Sequence, residues 1–259
     1  MDFIQFAESI ARESGAIIRQ NFSLGMSREW KGDGTPLTET DERINQLVID
    51  KVALHFPDHS VLGEEGSSSE ILNEYTWVCD PVDGTIPFSH GVPTSVFSLG
   101  LCRNGEPIVG VIYDPYMDRL LIAEKGNGAW LNGKSAKVSN KSDFQSATIA
   151  VDGPPAGLVS IDQIFRPLTD LGTFVITLRC ICYGGMLVAA GEFVAAIMTG
   201  TTPWDGAALA VIVKEAGGKI TDFNGEQQRY DKVTKGFIAS NGLVHEQLLE
   251  IVRGVNESF

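Results

Sequence analysis

Apolar side chains at Ile4, Ala7, Ile10, Ala11, Ile17 and Ile18 recur at near-helical spacing, which predicts an amphipathic helix over residues 2–22 with Asp2 placed to cap it. A second stripe, Ile44, Leu47, Val48 and Leu54, predicts a helix from about residue 41 to 55. Between them Lys31-Gly-Asp-Gly-Thr-Pro36 reads as a turn-rich loop, because glycine and proline interrupt both regular structures. From Ser60 to Tyr113 the pattern changes to short strand-like runs: Ser60-Val-Leu62, Thr76-Trp-Val-Cys79 and Thr94-Ser-Val-Phe-Ser-Leu-Gly-Leu101. Asn104-Gly105 then reads as a hairpin turn into Pro107-Ile-Val-Gly-Val-Ile-Tyr113, since both central positions of such a turn need positive φ.

Asn132-Gly133 predicts another turn, and the polar connection Ser139-Asn-Lys-Ser-Asp143 marks the boundary between two halves, residues 1–143 and 144–259. Beyond it the periodicity predicts strands at 147–152, 173–178, 193–198, 219–223 and 236–240. Helices are expected near 160–171, 183–191, 204–216 and 243–253. Strands and helices come mostly in blocks, which favours a layered α+β fold over a strictly alternating arrangement. A chain of 259 residues is long enough to hide about three quarters of its unfolded surface in such a core.

Charge narrows the function. Lys and Arg total 20 against 33 Asp and Glu, a net charge of -13, which disfavours nucleic acid and anionic membranes as partners. The N-terminus, Met1-Asp-Phe-Ile-Gln-Phe-Ala-Glu8, carries no signal-like basic segment and no apolar run reaches spanning length, so a cytoplasmic protein is expected. Cys79, Cys102, Cys180 and Cys182 lie in apolar segments without a C-x-x-C pair and read as small buried hydrophobes.

Three acidic elements remain. In Trp77-Val-Cys-Asp-Pro-Val-Asp-Gly-Thr85 an apolar strand ends in two aspartates, a glycine and a threonine. Pro, Gly and Asp suit a plain turn, yet a plain turn does not require two acids and a threonine after a buried strand, whereas a cation site does. An EF-hand is excluded by Val82 at the third position and Gly91 at the twelfth. The D-x-D-x-T signature of haloacid-dehalogenase phosphatases also differs. Here two residues separate the acids, so the second carboxylate points elsewhere along the strand. Gly63-Glu64-Glu65-Gly66, alone, reads as a solvated acidic turn. Thr202-Pro-Trp-Asp205 reads as a helix start, with Thr202 as cap, Pro203 first in the helix, Asp205 completing a capping box and Gly217 closing it.

In this order, G-E-E, D-P-V-D-G-T and P-W-D followed by E-A-G-G resemble the inositol monophosphatase family of metal-dependent, lithium-sensitive phosphatases. The resemblance implies an α-β-α-β-α sandwich of the inositol monophosphatase and fructose-1,6-bisphosphatase type, assembled as a homodimer, with its site between the halves. It implies that Glu64, Asp80, Asp83, Asp205 and the carbonyl of Val82 hold two to three Mg2+ ions, with Mn2+ as an alternative. All the side-chain ligands are carboxylates, as hard divalent cations prefer. Glu64 and Thr85, supported by Asp41, are the implied catalytic residues that orient and deprotonate water, and Lys31 matches a family lysine. Gly84 and Thr85 amides would meet the phosphate, and Arg179, Tyr183 and Asp205 the leaving group. The implied reaction is hydrolysis of a small phosphate monoester by direct attack of water. The chain departs from the pattern at Ile86-Pro87, where one amide donor is lost, and at Met198, where inositol-specific members carry a glutamate for sugar hydroxyls. Histidinol phosphate, a sugar phosphate such as fructose 1,6-bisphosphate and a 3′-phosphonucleotide therefore stay open as substrates, as does a metal-binding regulatory relative without turnover.

Overall fold

The computed structural model describes residues 2–32, 34, 36–68, 73–154 and 157–256. The first half runs α1 (Phe3–Asn21), a short antiparallel pair β1 (Glu29–Trp30) and β2 (Pro36–Leu37), α2 (Glu39–His55), β3 (Ser60–Gly63), β4 (Tyr75–Asp83) and α3 (Thr85–Ser89). It continues with β5 (Val96–Arg103), β6 (Glu106–Asp114), β7 (Arg119–Glu124), β8 (Ala129–Leu131) and β9 (Lys134–Ser135). Then follow β10 (Thr148–Asp152), α4 (Ile161–Asp170), β11 (Phe174–Ile176), α5 (Ile181–Ala189), β12 (Ala195–Met198), α6 (Trp204–Glu215), β13 (Lys219–Thr221), β14 (Phe237–Ser240) and α7 (His245–Asn256).

Two sheets divide the strands. β3 to β9 form a seven-stranded sheet in sequence order, with β3 and β4 parallel and the later neighbours antiparallel. The second sheet has the order β11-β10-β12-β14-β13, parallel through β11, β10 and β12 and antiparallel around β14. Side chains alternate across each sheet, so Trp77 and Cys79 face α1 and α2 while Val78 faces the opposite layer. In that layer α5 and α6 pack between the sheets, against Ile112 and Leu121 of one and Ala196 and Phe237 of the other. On the far side Ile149, Val151 and Ile197 meet Ile164 of α4 and Leu248 of α7. The result is five layers, α-β-α-β-α, as the resemblance implied.

The turns follow their local chemistry. Asn104 and Gly105 have φ of 52° and 80°, and Asn132 and Gly133 have 48° and 75°, the positive values that tight two-residue turns require. Asp2 Oδ1 accepts from the amide of Gln5 at 2.7 Å and caps α1. Several element bounds differ by a few residues from their sequence reading, and three of these differences bear on the site. α2 begins two residues early, which makes Asp41 its third residue instead of its first. α5 begins at Ile181 instead of 183. Pro203, not Thr202, occupies the cap of α6, and the Thr202 hydroxyl donates to the Asp205 carboxylate.

α6 brings the second half onto the first sheet. It is rich in glycine and alanine over Gly206-Ala-Ala-Leu-Ala210, and where it crosses Gly110 an added Cβ would lie 2.6 Å from the Ala208 carbonyl oxygen. Small residues on both partners thus permit backbone contact between helix and sheet, which carries Asp205 to the end of β4. Cys79, Cys102, Cys180 and Cys182 are all buried free thiols. Among the described residues no helix is long and apolar enough to cross a membrane.

Candidate metal centre

Glu64 and Asp80 sit at the C-terminal ends of neighbouring parallel strands, since Gly63 pairs with Cys79 across β3 and β4. The ladder between β4 and β5 slips between Asp80 and Asp83. Such a bulge twists the strand locally and re-aims its side chains, and both carboxylates reach one place despite their three-residue spacing. Gly84 follows with φ of 89°, and a Cβ there would lie 3.0 Å from that of Cys180 and 3.3 Å from the Arg179 carbonyl oxygen. Glycine is needed at this position both for the turn and for the approach of the second half.

Asp205 enters from the first turn of α6. Oxygens of Asp80, Asp83 and Asp205 lie within 4.8 Å of one another, and all three residues are buried. Internal donors partly anchor them. Asp80 Oδ1 accepts from the Val82 amide at 3.1 Å, Asp83 Oδ2 from the Cys182 amide at 2.6 Å, and Asp205 Oδ2 from the Thr202 hydroxyl. They line a cavity of about 410 Å³ together with Lys31, Glu64, Val82, Gly84, Thr85, Asp152, Arg179 and Met198.

Around the trio a second set of contacts assembles. Thr85 Oγ1 lies 3.1 Å from the Val82 carbonyl oxygen and 3.3 Å from Asp41 Oδ1. Asp41 is held by the Thr38 amide, which donates to Oδ2 at 2.9 Å. Lys31 Nζ donates to Glu64 Oε1 at 2.8 Å and also to Glu65 Oε1. Glu64 therefore lines the cavity as half of an ion pair, outside the trio. Glu65, half-buried beside it, had no part in the sequence reading beyond a solvated turn, and so is a residue that reading missed.

Arg179 lines the cavity, but its Nη1 is committed to the Gly153 carbonyl oxygen at 2.6 Å. Tyr183 does not line it. Its hydroxyl accepts from Arg119 Nη1 at 2.8 Å, so the structure does not bring it together with Arg179 at the cavity, as the resemblance had implied. The histidines stay outside: His245 is buried between Thr221 and Ser240, and His59 stacks between Phe56 and Tyr75.

Packing like charges together out of water destabilises their ionised forms; one close pair costs about 4 kcal/mol at an effective dielectric near 20. Burial, followed by the charges of Glu64 and Asp83, pushes the Asp80 carboxyl well above the usual range. Burial and then Asp83 do the same to Asp205. Burial raises Asp83 to about 6 against the opposing amide of Cys182, and raises Asp41 to about 6 against the Thr38 hydrogen bonds. Glu65 and Asp152 are raised by burial to about 7. Burial alone would lower Lys31, yet Glu64 and Glu65 outweigh it and raise its pKa. The site is thus an all-oxygen, electron-rich pocket short of positive charge, and its donor set fits a hard divalent cation.

These shifts have a sign that stability reports. A carboxyl whose folded pKa lies above its unfolded value favours the folded state while protonated, so its contribution is complete below about pH 4 and is lost as pH rises through the folded pKa, here about 6 to 7. Metal-free protein is expected to lose roughly 5–10 °C of Tm between pH 5 and pH 8, with added Mg2+ restoring more at pH 8 than at pH 5. Calorimetry in EDTA and in Mg2+ measures both; a metal-free Tm that rises over that interval would contradict the assignment of buried, mutually repelling acids.

A profile of the inositol monophosphatase family matches residues 1–257. The chain belongs to the inositol monophosphatase family. Inositol monophosphatase 1 of Solanum lycopersicum is 35% identical over 262 residues, a match covering 97% of this chain and 95% of the relative. The solved structure of an IMPase from Thermotoga maritima superimposes with a TM-score of 0.90 at 30% identity and 99% coverage of both chains. That of an IMPase/NADP phosphatase complexed with Mg2+ and phosphate gives a TM-score of 0.81 at 28% identity, covering 95% of this chain and 93% of that one. As a member of the family the protein is a phosphoric monoester hydrolase of a metal-using kind, on the family's layered α+β fold.

Proposed function

We propose that the protein hydrolyses a small phosphate monoester by direct in-line attack of water, with two to three Mg2+ ions, or Mn2+ in their place, held by Asp80, Asp83, Asp205, Glu64 and the Val82 carbonyl. The observation that carries this reading is the buried trio of carboxylates with oxygens within 4.8 Å of one another. Bound there, the cations would lower the pKa of water and neutralise charge on the phosphoryl and leaving oxygens. The chain's own groups do the positioning. Thr85, in reach of Asp41 and the Val82 carbonyl, orients the water, and Glu64, braced by Lys31, takes its proton. Backbone amides of Gly84 and Thr85, where α3 begins, receive phosphate oxygens. Pro87 contributes no donor behind them.

The substrate of this proposal is a small phosphate ester, such as inositol, histidinol, sugar or nucleotide phosphates. Met198 gives the leaving-group wall a thioether where a polyol would want a strong acceptor. A cytoplasmic location and a homodimer belong to the same proposal by analogy with the family. The route has a stereochemical test. A substrate made chiral at phosphorus is expected to be hydrolysed with inversion and without an accumulating aspartyl-phosphate, as one in-line displacement requires. Net retention, or phosphate trapped on Asp80, would replace direct attack with a covalent mechanism.

A further inference from the structure

Asp152 ends β10, and in the parallel ladder with β12 it pairs with Met198. Paired residues of a parallel ladder present their side chains on the same face of the sheet, and both line the cavity that holds the acidic trio. Asp152 is only 3% exposed. Its Oδ1 accepts from the Arg179 amide at 2.8 Å, while its Oδ2 is buried with no partner in the protein. Among the described residues that line the cavity, this is the only buried side-chain oxygen so placed.

The fold does not explain the charge. An amide oxygen would hold the Arg179 N–H as well as a carboxylate does, and an unpartnered carboxylate oxygen away from water is costly to keep. Its surroundings brace it as a receptor. Arg179 adopts a φ of 54°, an uncommon left-handed conformation for a residue with a side chain, and its guanidinium is tied to the Gly153 carbonyl oxygen. Backbone and side chain of one residue thus fix both Asp152 and its neighbour. Asp152 also lies outside the group of three carboxylates whose oxygens lie within 4.8 Å of one another.

We propose that Asp152 is a specificity-determining residue whose free Oδ2 accepts a hydrogen bond from a hydroxyl or ammonium donor on the alcohol part of the substrate, beside the apolar wall made by Met198. The proposal rests on the reading of this cavity as the phosphate-ester site. It favours esters whose leaving group carries a donor over those that carry none, because only such an ester gives a partner to an oxygen whose desolvation the fold has already incurred.

The test compares wild type with Asp152→Asn, a variant that keeps Oδ1 for the Arg179 amide, on three esters in saturating Mg2+: phenyl phosphate with no donor, glycerol 2-phosphate with hydroxyls, and ethanolamine phosphate with an ammonium. The expected result is a fall in kcat/KM of about ten- to a hundredfold for at least one donor-bearing ester, with phenyl phosphate changed less than about threefold. The ester that responds more identifies the donor. An equal fall on all three, or a raised Mg2+ requirement, would assign Asp152 to the metal centre and overturn the proposal; unchanged values on both donor-bearing esters would overturn it too. Thermal-shift titrations of both proteins with the same esters read the contrast as binding. They decide the proposal even if phenyl phosphate is not turned over, an outcome that would count against the hydrolytic reading alone. The melting curve without ester confirms that the variant folds.

Discussion

Asp83→Asn and Asp205→Asn are each expected to lower kcat at limiting Mg2+ by about a thousandfold. Each change removes one of three buried charges whose oxygens lie within 4.8 Å, and with it the strongest reason for a divalent cation to leave water for this cavity. The side-chain shape survives. Asn at 83 still accepts from the Cys182 amide, and Asn at 205 from the Thr202 hydroxyl, the partners these residues have now. Relief of repulsion gives the same variants a second signature: without metal their Tm should equal or exceed that of wild type, because the ionised forms of Asp83 and Asp205 are disfavoured by burial and by one another. Loss of turnover together with an unchanged or higher metal-free Tm separates a lost ligand from a damaged fold. Near wild-type turnover at limiting Mg2+ in either variant would remove that residue from the metal set.

Much of this organisation is legible in the sequence because it is written locally. The α1 stripe from Ala7 to Ile18, the Asn-Gly turns at 104 and 132, and the Ala-rich α6 ended by Gly217 at φ of 88° follow from period, turn chemistry and capping, which need no knowledge of distant residues. The three acidic motifs are different: alone each also reads as a turn or a helix start, and it is their order along the chain that carries the resemblance. What stayed hidden depends on tertiary contact. The slip between Asp80 and Asp83 exists only when β5 is paired, and the amide of Cys182 finds Asp83 across 99 residues. Glu65 looks like half of a solvated pair until Lys31 is folded over it. Tyr183 was carried over from the resemblance alone, and only the folded chain shows its hydroxyl on Arg119, away from the cavity. Asp152 did leave a trace. Thr148-Ile-Ala-Val-Asp152 is an apolar strand ending in an acid before Gly153-Pro154, the same grammar as Trp77-Val-Cys-Asp80-Pro81, without a second acid to draw notice.

Removal of the metal is expected to have the larger effect still, because it takes away at once everything the carboxylates were gathered to hold. Burial and neighbouring charge oppose the ionised forms of Asp80 and Asp205, so protons compete with a cation for these carboxylates, and more so at low pH. Turnover at low pH should therefore need more Mg2+ than turnover at pH 8. The direct measurement is release of inorganic phosphate by protein stripped with EDTA and shown by elemental analysis to be free of divalent metal, assayed on a panel of inositol, histidinol, sugar and nucleotide phosphates while Mg2+ is added back. A metal-dependent phosphomonoesterase predicts no release above background without metal, and saturable recovery with Mg2+ on at least one ester. Undiminished hydrolysis by the metal-free protein, or bound Mg2+ with no turnover of any ester, would contradict it.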